Sequence, residues 1–223
     1  MTLAYTKDAA GYTAHLKGCT NIGALYELMV QTFVPRPIAW VLTENENGTH
    51  NIAPYSFTAL VDIAPPTLVF SAGKKDPHTL KDSWANLVRT KQCVVHIPSV
   101  ANAEAVNNSA ANLPTGASEA DTYNIKTTVF EGFPLPRITE APIAYGCTLR
   151  EVVELGTLPV GLLVLEVQNL FVTEKAVEHI DGDIFHINEK AINPLTRMGK
   201  TKFGTLGPIV DIGAPPKIDT KSS

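Results

Sequence analysis

Residues 35–79 constrain the fold more than any other part of the chain. Three apolar runs, 38–42, 51–53 and 67–71, alternate with short segments crowded with proline, asparagine and glycine. Runs this short between turn signals suit strands better than helices. Asn45-Glu46-Asn47-Gly48 ends in Asn-Gly, a strong hairpin signal because both residues tolerate positive φ. Asn51-Ile52-Ala53 then returns antiparallel. Pro54 has no N–H to give a ladder, so pairing is expected to stop there. The main-chain groups of Tyr55-Ser56-Phe57 must then find partners or meet a ligand.

The rest of the chain continues this mixture. A short helix is expected over 22–29, with Ile22, Leu25 and Met29 on one side. Asp76 before Pro77 makes a good N-cap and first-turn pair. Leu80, Trp84, Leu87 and Val88 follow at helical spacing, predicting a helix to about Arg89 with Trp84 turned inward. A strand over 92–97 ends at Pro98. Residues 99–113 read as a helix fraying near Asn107, 115–123 as a second short helix, and 130–136 as a proline-rich loop. The segment 99–142 has too few large apolar residues for a core of its own and reads as an excursion from the main body. Two long strands, 143–155 and 160–173, are joined by a turn over 156–159. Asp181-Gly182-Asp183 turns a further hairpin, and the residues after Pro208 read as an extended tail. These elements predict one domain over 1–223, mainly β with added helices, its antiparallel sheet closed into a barrel that leaves no long edge exposed.

Composition narrows the function. A formal net charge of −4, with no block of like charge, lacks the basic face of a nucleic-acid binder. The longest apolar run, 160–165, stops at Glu166, short of the ~20 residues of a membrane span, so no membrane partner is expected. Residues 1–11 carry Lys7 and Asp8 rather than an apolar leader core. Cys19, Cys93 and Cys147 are odd in number and far apart, which fits reduced thiols in a cytoplasmic protein. Gly199-Lys200-Thr201 lacks the first glycine of a phosphate loop, Pro194 standing in its place. His179, Asp181, Asp183 and His186 have metal-ligand chemistry, but the glycine turn among them makes a hairpin the better reading, and no metal is expected.

Several stretches carry a family resemblance. Arg36-Pro37-Ile38-Ala39-Trp40-Val41, Asn51-Ile52-Ala53-Pro54-Tyr55-Ser56-Phe57 and Pro65-Pro66-Thr67 resemble the flavin reductase-like family of FMN-binding split β-barrels. So do Lys75-Asp76 with Thr79, and the late Pro194-Leu195-Thr196-Arg197-Met198-Gly199. The resemblance spans residues 32–206 and is most specific over 35–96. It implies an antiparallel Greek-key barrel, FMN, and a homodimer with the flavin near the subunit interface. It further implies electron transfer from NADH or NADPH to free flavin or a partner acceptor. A tight FMN electron carrier of flavoredoxin type, without a nicotinamide site, and a non-catalytic ligand-binding barrel are the alternatives. Family members often carry tyrosine a few residues after the closing Arg-x-Gly; Phe203 stands there.

FMN asks three things of a protein: a cation and converging donors for its phosphate, main-chain groups for its pyrimidine edge, and apolar walls for its ring. Lys75 and Thr79, at the expected helix start, are the phosphate candidates, with the hydroxyls of Thr43 and Ser71 at neighbouring strand ends. Asn51 and the ribbon Ala53, Pro54, Tyr55, Ser56 and Phe57 offer main chain beside small side chains. The resemblance puts Arg36 and Arg197 beside the flavin. Trp40 and Trp84, set among apolar residues, read as core. No acid–base constellation stands out, as expected where cofactors carry hydride transfer and the protein sets geometry.

Overall fold

The computed structural model describes residues 2–76, 78–156 and 160–213. A hairpin of β1 (Ala4–Lys7) and β2 (Tyr12–His15) precedes α1 (Ile22–Thr32), which Asn21 caps by accepting from Ala24 N–H at 3.1 Å. Then come β3 (Ala39–Glu44), β4 (His50–Tyr55), β5 (Thr58–Ile63), β6 (Pro66–Asp76) and the two-residue β7 (Thr79–Leu80). α2 (Asp82–Thr90) and β8 (Gln92–Ile97) follow, then α3 (Ala103–Asn108), α4 (Glu119–Thr122), β9 (Thr127–Thr128) and β10 (Arg137–Ile138). The long strands β11 (Ile143–Leu155) and β12 (Val160–Val172) lead to the hairpin β13 (Val177–Asp181) and β14 (Ile184–Ile187). α5 (Glu189–Ile192), β15 (Thr196–Arg197) and β16 (Phe203–Gly204) come last.

The main sheet is antiparallel, in the order β4-β3-β8-β11-β12-β6-β5 with β7 on β6. β4 and β6, from opposite ends of that order, approach each other, so the sheet curls round on itself. Alternation along β3 explains its unbroken apolar run. Val41 belongs to a core with Phe70, Trp84, Leu87, Val95 and Leu163, while Trp40 and Leu42 face a second core on the other side. That second core is completed by Val106, Ile125, Phe130, Leu135 and Ile138. The segment 99–142 is therefore a cover for the outer face of the sheet, and its scattered apolar residues suffice because the sheet supplies the rest.

His96 ties the cover to the sheet. It is wholly buried; Nδ1 lies 2.9 Å from the Trp40 carbonyl, and Nε2 accepts from Ile138 N–H at 2.9 Å. A carbonyl can only accept and an amide can only donate, so the ring is neutral with its proton on Nδ1. Cys93 and Cys147 are register partners across β8 and β11, both buried and free. The hydrogen bond with Cys147, together with burial, raises the Cys93 thiol well above its ordinary value.

Local expectations met the structure with three differences. Pairing does not stop at Pro54: β4 runs on through Tyr55, with Pro54 opposite Trp40 and Tyr55 opposite Ala39. Pro54 sits on an edge strand whose other side has no ladder to lose. The β3–β4 hairpin forms, but only Gly48 takes positive φ, at 79°. Asn47 instead accepts from Thr49 N–H and Oγ1–H at 3.1 and 2.7 Å, stabilising a longer loop. The helix expected at Asp76 begins six residues later. The Asp76 carboxylate does accept from the two amides expected of an N-cap, His78 and Thr79 at 2.9 Å each, but the chain turns back into β7. The same side-chain chemistry closes a hairpin or opens a helix, and here the strand pairing of Lys74 with Leu80 decides. Trp84 is inward, 3% exposed. His179 and His186 stack at 4.0 Å across the β13–β14 hairpin. Pro77, the tip of the β11–β12 turn and the tail from 214 lie outside the described residues. None of the described helices is long and apolar enough to cross a membrane.

Candidate functional site

The ribbon 53–56 separates two open cavities. Pro54, Tyr55 and Ala110 line both, so the cavities adjoin across it. The first is polar at one end, where Lys75, Lys81 and Ser83 stand with the carboxylates of Asp82 and Glu119, and is roofed by residues 110–113. The second is walled by Ile38, Val106, Tyr26 and Phe203, with Arg197 and Ser56 as polar groups.

Buried donors hold these walls in place. The Trp40 indole N–H needs an acceptor inside the outer core and finds Ser109 Oγ at 2.9 Å; that hydroxyl donates to the Val106 carbonyl at 3.0 Å. The bonds pin the end of α3 and the start of the roof loop. On the opposite side, Asn51 Nδ2 donates to Thr43 Oγ1 at 3.2 Å and Ser83 Oγ at 2.8 Å. Asn86 Nδ2 donates to the same threonine at 3.2 Å and to Asn45 Oδ1 at 2.8 Å. This network clamps the first turns of α2 onto β3 and β4. Glu119, buried on α4, accepts the outward N–H of Ile52 at 2.9 Å, closing the edge of β4 beside the first cavity. Burial, offset in part by that bond, raises its carboxyl above the ordinary value.

One polar atom in these walls is left without a partner. The Tyr55 hydroxyl is buried, stands beside Ser83, and makes no hydrogen bond of normal geometry. Burial pushes the phenol up to about 12, so it stays a neutral donor at any physiological pH. The hydroxyl is enclosed in the core that holds Phe70 and Trp84 and is not open to either cavity.

The residues singled out from the sequence divide in two. Asn51, Ala53, Pro54, Tyr55, Ser56, Lys75 and Arg197 line the joined cavities. Arg36, Thr43, Phe57, Ser71 and Thr79 do not. Arg36 is 3% exposed, and its guanidinium is spent on the carbonyls of Val30, Phe33 and Met198 at 2.5, 2.9 and 3.0 Å, plus Ser56 Oγ at 3.4 Å. It fastens α1 and the 197–198 segment to the ribbon. Thr43 is enclosed by the Asn51 and Asn86 amides, Ser71 N–H bonds the Phe57 carbonyl at 2.8 Å, and Thr79 is exposed at the start of β7. Phe57 is half exposed, its ring 6.4 Å from that of Tyr26. Lys75 reaches the first cavity with its ammonium already paired to Asp82, at 2.8 and 3.0 Å, and bonded to Thr115 Oγ1 at 3.0 Å.

Lys81, Ser83, Tyr26 and the roof loop were not foreseen as wall residues. A signal for the first two exists: the Lys-Asp order of 75–76 recurs at 81–82, and the second copy opens the helix. Lys81 lies 6.0 Å over the Tyr55 ring and has no carboxylate within ion-pair distance among the described residues.

A family model described as flavin reductase like domain matches residues 30–188. The chain belongs to that family. A protein of Deinococcus radiodurans is 34% identical over 180 residues, 79% of this chain and 78% of its own. Nitrilotriacetate monooxygenase component B from Bacillus cereus superposes with a TM-score of 0.81 at 26% identity, over 90% of this chain and 98% of the other. A Shewanella frigidimarina protein with a split barrel domain superposes at 0.73 and 16% identity, over 85% and 91%, a likeness of fold. The curled antiparallel sheet of this family member is accordingly a split β-barrel.

Proposed function

We propose that this chain is an FMN-binding oxidoreductase that accepts electrons from NADH or NADPH and passes them to free flavin or another acceptor. The observation that carries the reading is the ribbon 53–56, which lies between two adjoining cavities in a flavin reductase-like domain. The residues present fit the cofactor. Ala53 and Pro54 keep the wall low enough for a flat ring, and the main chain after Pro54 can read a pyrimidine edge. Ala110, Ala111 and Leu113 give apolar cover, while Lys81 and Ser83, with Lys75 behind them, give cation and hydroxyl for a phosphate. FMN, when bound, supplies the two-electron relay between nicotinamide and acceptor. The protein's part is positional: the Trp40–Ser109 bond and the Asn51–Ser83 bond hold opposite walls at fixed separation.

The oligomer belongs to the same proposal. α1 and its C-cap Phe33 turn Ile22, Tyr26, Met29 and Phe33 to the outside, at 49, 60, 47 and 70% exposure, next to exposed Phe57. An apolar face of this kind beside the cavities is suited to a second copy of the chain. The test is a visible spectrum of the FMN-loaded protein before and after anaerobic NADH or NADPH, with sedimentation at micromolar concentration. Bleaching by the nicotinamide and a mass twice 24.0 kDa are expected. Bleaching only by dithionite makes the protein a carrier, and no flavin uptake overturns the reading.

A further inference from the structure

We propose that the second cavity, between α1, the 53–56 ribbon, α3 and the β15–β16 hairpin, binds a planar organic anion, an aromatic ring bearing one carboxylate, with Arg197 as its counter-charge. The proposal rests on the flavin reading in one respect only, that the first cavity takes the phosphate end of FMN.

Charge argues for an anion. Arg197 is half-buried, its guanidinium lies 4.5 Å over the Phe203 ring, and Nη2 donates to the Lys200 carbonyl at 2.7 Å. No carboxylate pairs with it among the described residues. Arg36 is bound to the same place by two main-chain bonds, Arg36 N–H to the Arg197 carbonyl at 3.0 Å and Arg197 N–H to the Arg36 carbonyl at 2.8 Å. The Arg36 charge is surrounded by carbonyl oxygens, which satisfy its hydrogens without neutralising it. The nearby Lys200 and Glu27 pair with each other at 3.1 Å and cancel. Two positive charges are left beside a partly desolvated cavity, a situation that an anionic ligand relieves.

Donor chemistry and shape point the same way. Ser56 Oγ accepts from Arg36 Nε, which leaves its own proton free for an acceptor in the cavity. The guanidinium plane is backed by Phe203, and Ile38 and Val106 form an apolar wall. A fork that binds a carboxylate beside apolar walls selects a ring with one acidic substituent over a spherical ion.

The test titrates the full chain, with and without FMN, with benzoate and with its uncharged isostere benzamide, by saturation-transfer NMR and calorimetry. Benzoate is expected to bind roughly tenfold or more tightly than benzamide. Arg197→Gln removes that preference, and Arg197→Lys retains part of it because charge survives without the fork. FMN and riboflavin titrations of Arg197→Gln are run alongside, and an equal loss of both flavins, which would place Arg197 on the flavin ring, overturns the proposal. Equal binding of the two probes, or a preference that survives Arg197→Gln, overturns the proposal. So does a variant that loses FMN but keeps riboflavin, since Arg197 then serves the flavin phosphate. If Arg197→Gln does not fold, as a melting curve shows, the decision passes to Arg197→Lys, where an undiminished preference overturns the fork. Failure of the flavin reading appears separately, as no FMN uptake by wild type, because the probe preference is read without FMN.

Discussion

Acidification should unlatch the cover from the sheet through His96. Its Nε2 must offer a lone pair to Ile138 N–H, so a proton there sets two donors face to face. Burial, and to a lesser degree the Arg137 charge, oppose that proton, while the bond to the Trp40 carbonyl favours it; the net result lowers the group from 6.5 to about 4. The unfolded chain takes up the proton near 6.5 and the folded chain does not. Stability from this group is therefore full above pH 6.5 and is lost as pH falls toward 4. The loss amounts to about 2 kcal/mol by pH 5 and about 3 kcal/mol at the limit. The assay is urea unfolding across pH 7.5 to 4.5 for wild type and His96→Gln. The variant should be weaker at neutral pH by about 1–3 kcal/mol, since one buried bond is lost, yet show a shallower acid slope. Subtracting the two slopes removes the contribution of the carboxylates. Identical slopes, or an imidazole proton signal titrating near 6.5 in the folded protein, would refute the buried neutral assignment.

Three further outcomes are expected. Ala53→Leu should abolish FMN uptake while the melting temperature of the flavin-free protein holds, whereas Ser56→Ala should leave it nearly intact, because its one contact is the long bond from Arg36; normal uptake by the leucine variant places the ring elsewhere. Lys81→Ala should weaken FMN by about 1.5–3 kcal/mol and spare riboflavin, with Lys75→Ala doing less because Asp82 holds that ammonium; equal losses of FMN and riboflavin remove Lys81 from the phosphate. Gly161→Ala should cost about 1–3 kcal/mol in unfolding measurements. A methyl there would lie 2.6 Å from Trp84 Cη2 in a filled core, and a neutral result would show that α2 can shift.

Local grammar was legible in the chain alone. Pairs of apolar runs bracketing a turn residue become hairpins, because Gly48 and Gly182 adopt backbone that other residues resist and the flanking strands pair at short range. Trp84 was legible as core from Leu87 at helical spacing, which shares its face, although Leu80 lies in β7 before the helix and Val88 is exposed. The tertiary structure decided where local chemistry was ambiguous. Asp76 binds two amides in either a helix start or a hairpin, and pairing of β6 with β7 chooses the hairpin. Arg36 between two prolines gives no hint that three carbonyls from α1, its connecting turn and the 197–198 segment will converge on its guanidinium. The roof over the ribbon depends on an indole N–H in β3 finding a hydroxyl 69 residues away. Such long-range bonds form because a buried polar group must find a partner wherever the fold brings one near, and sequence spacing carries no record of that distance.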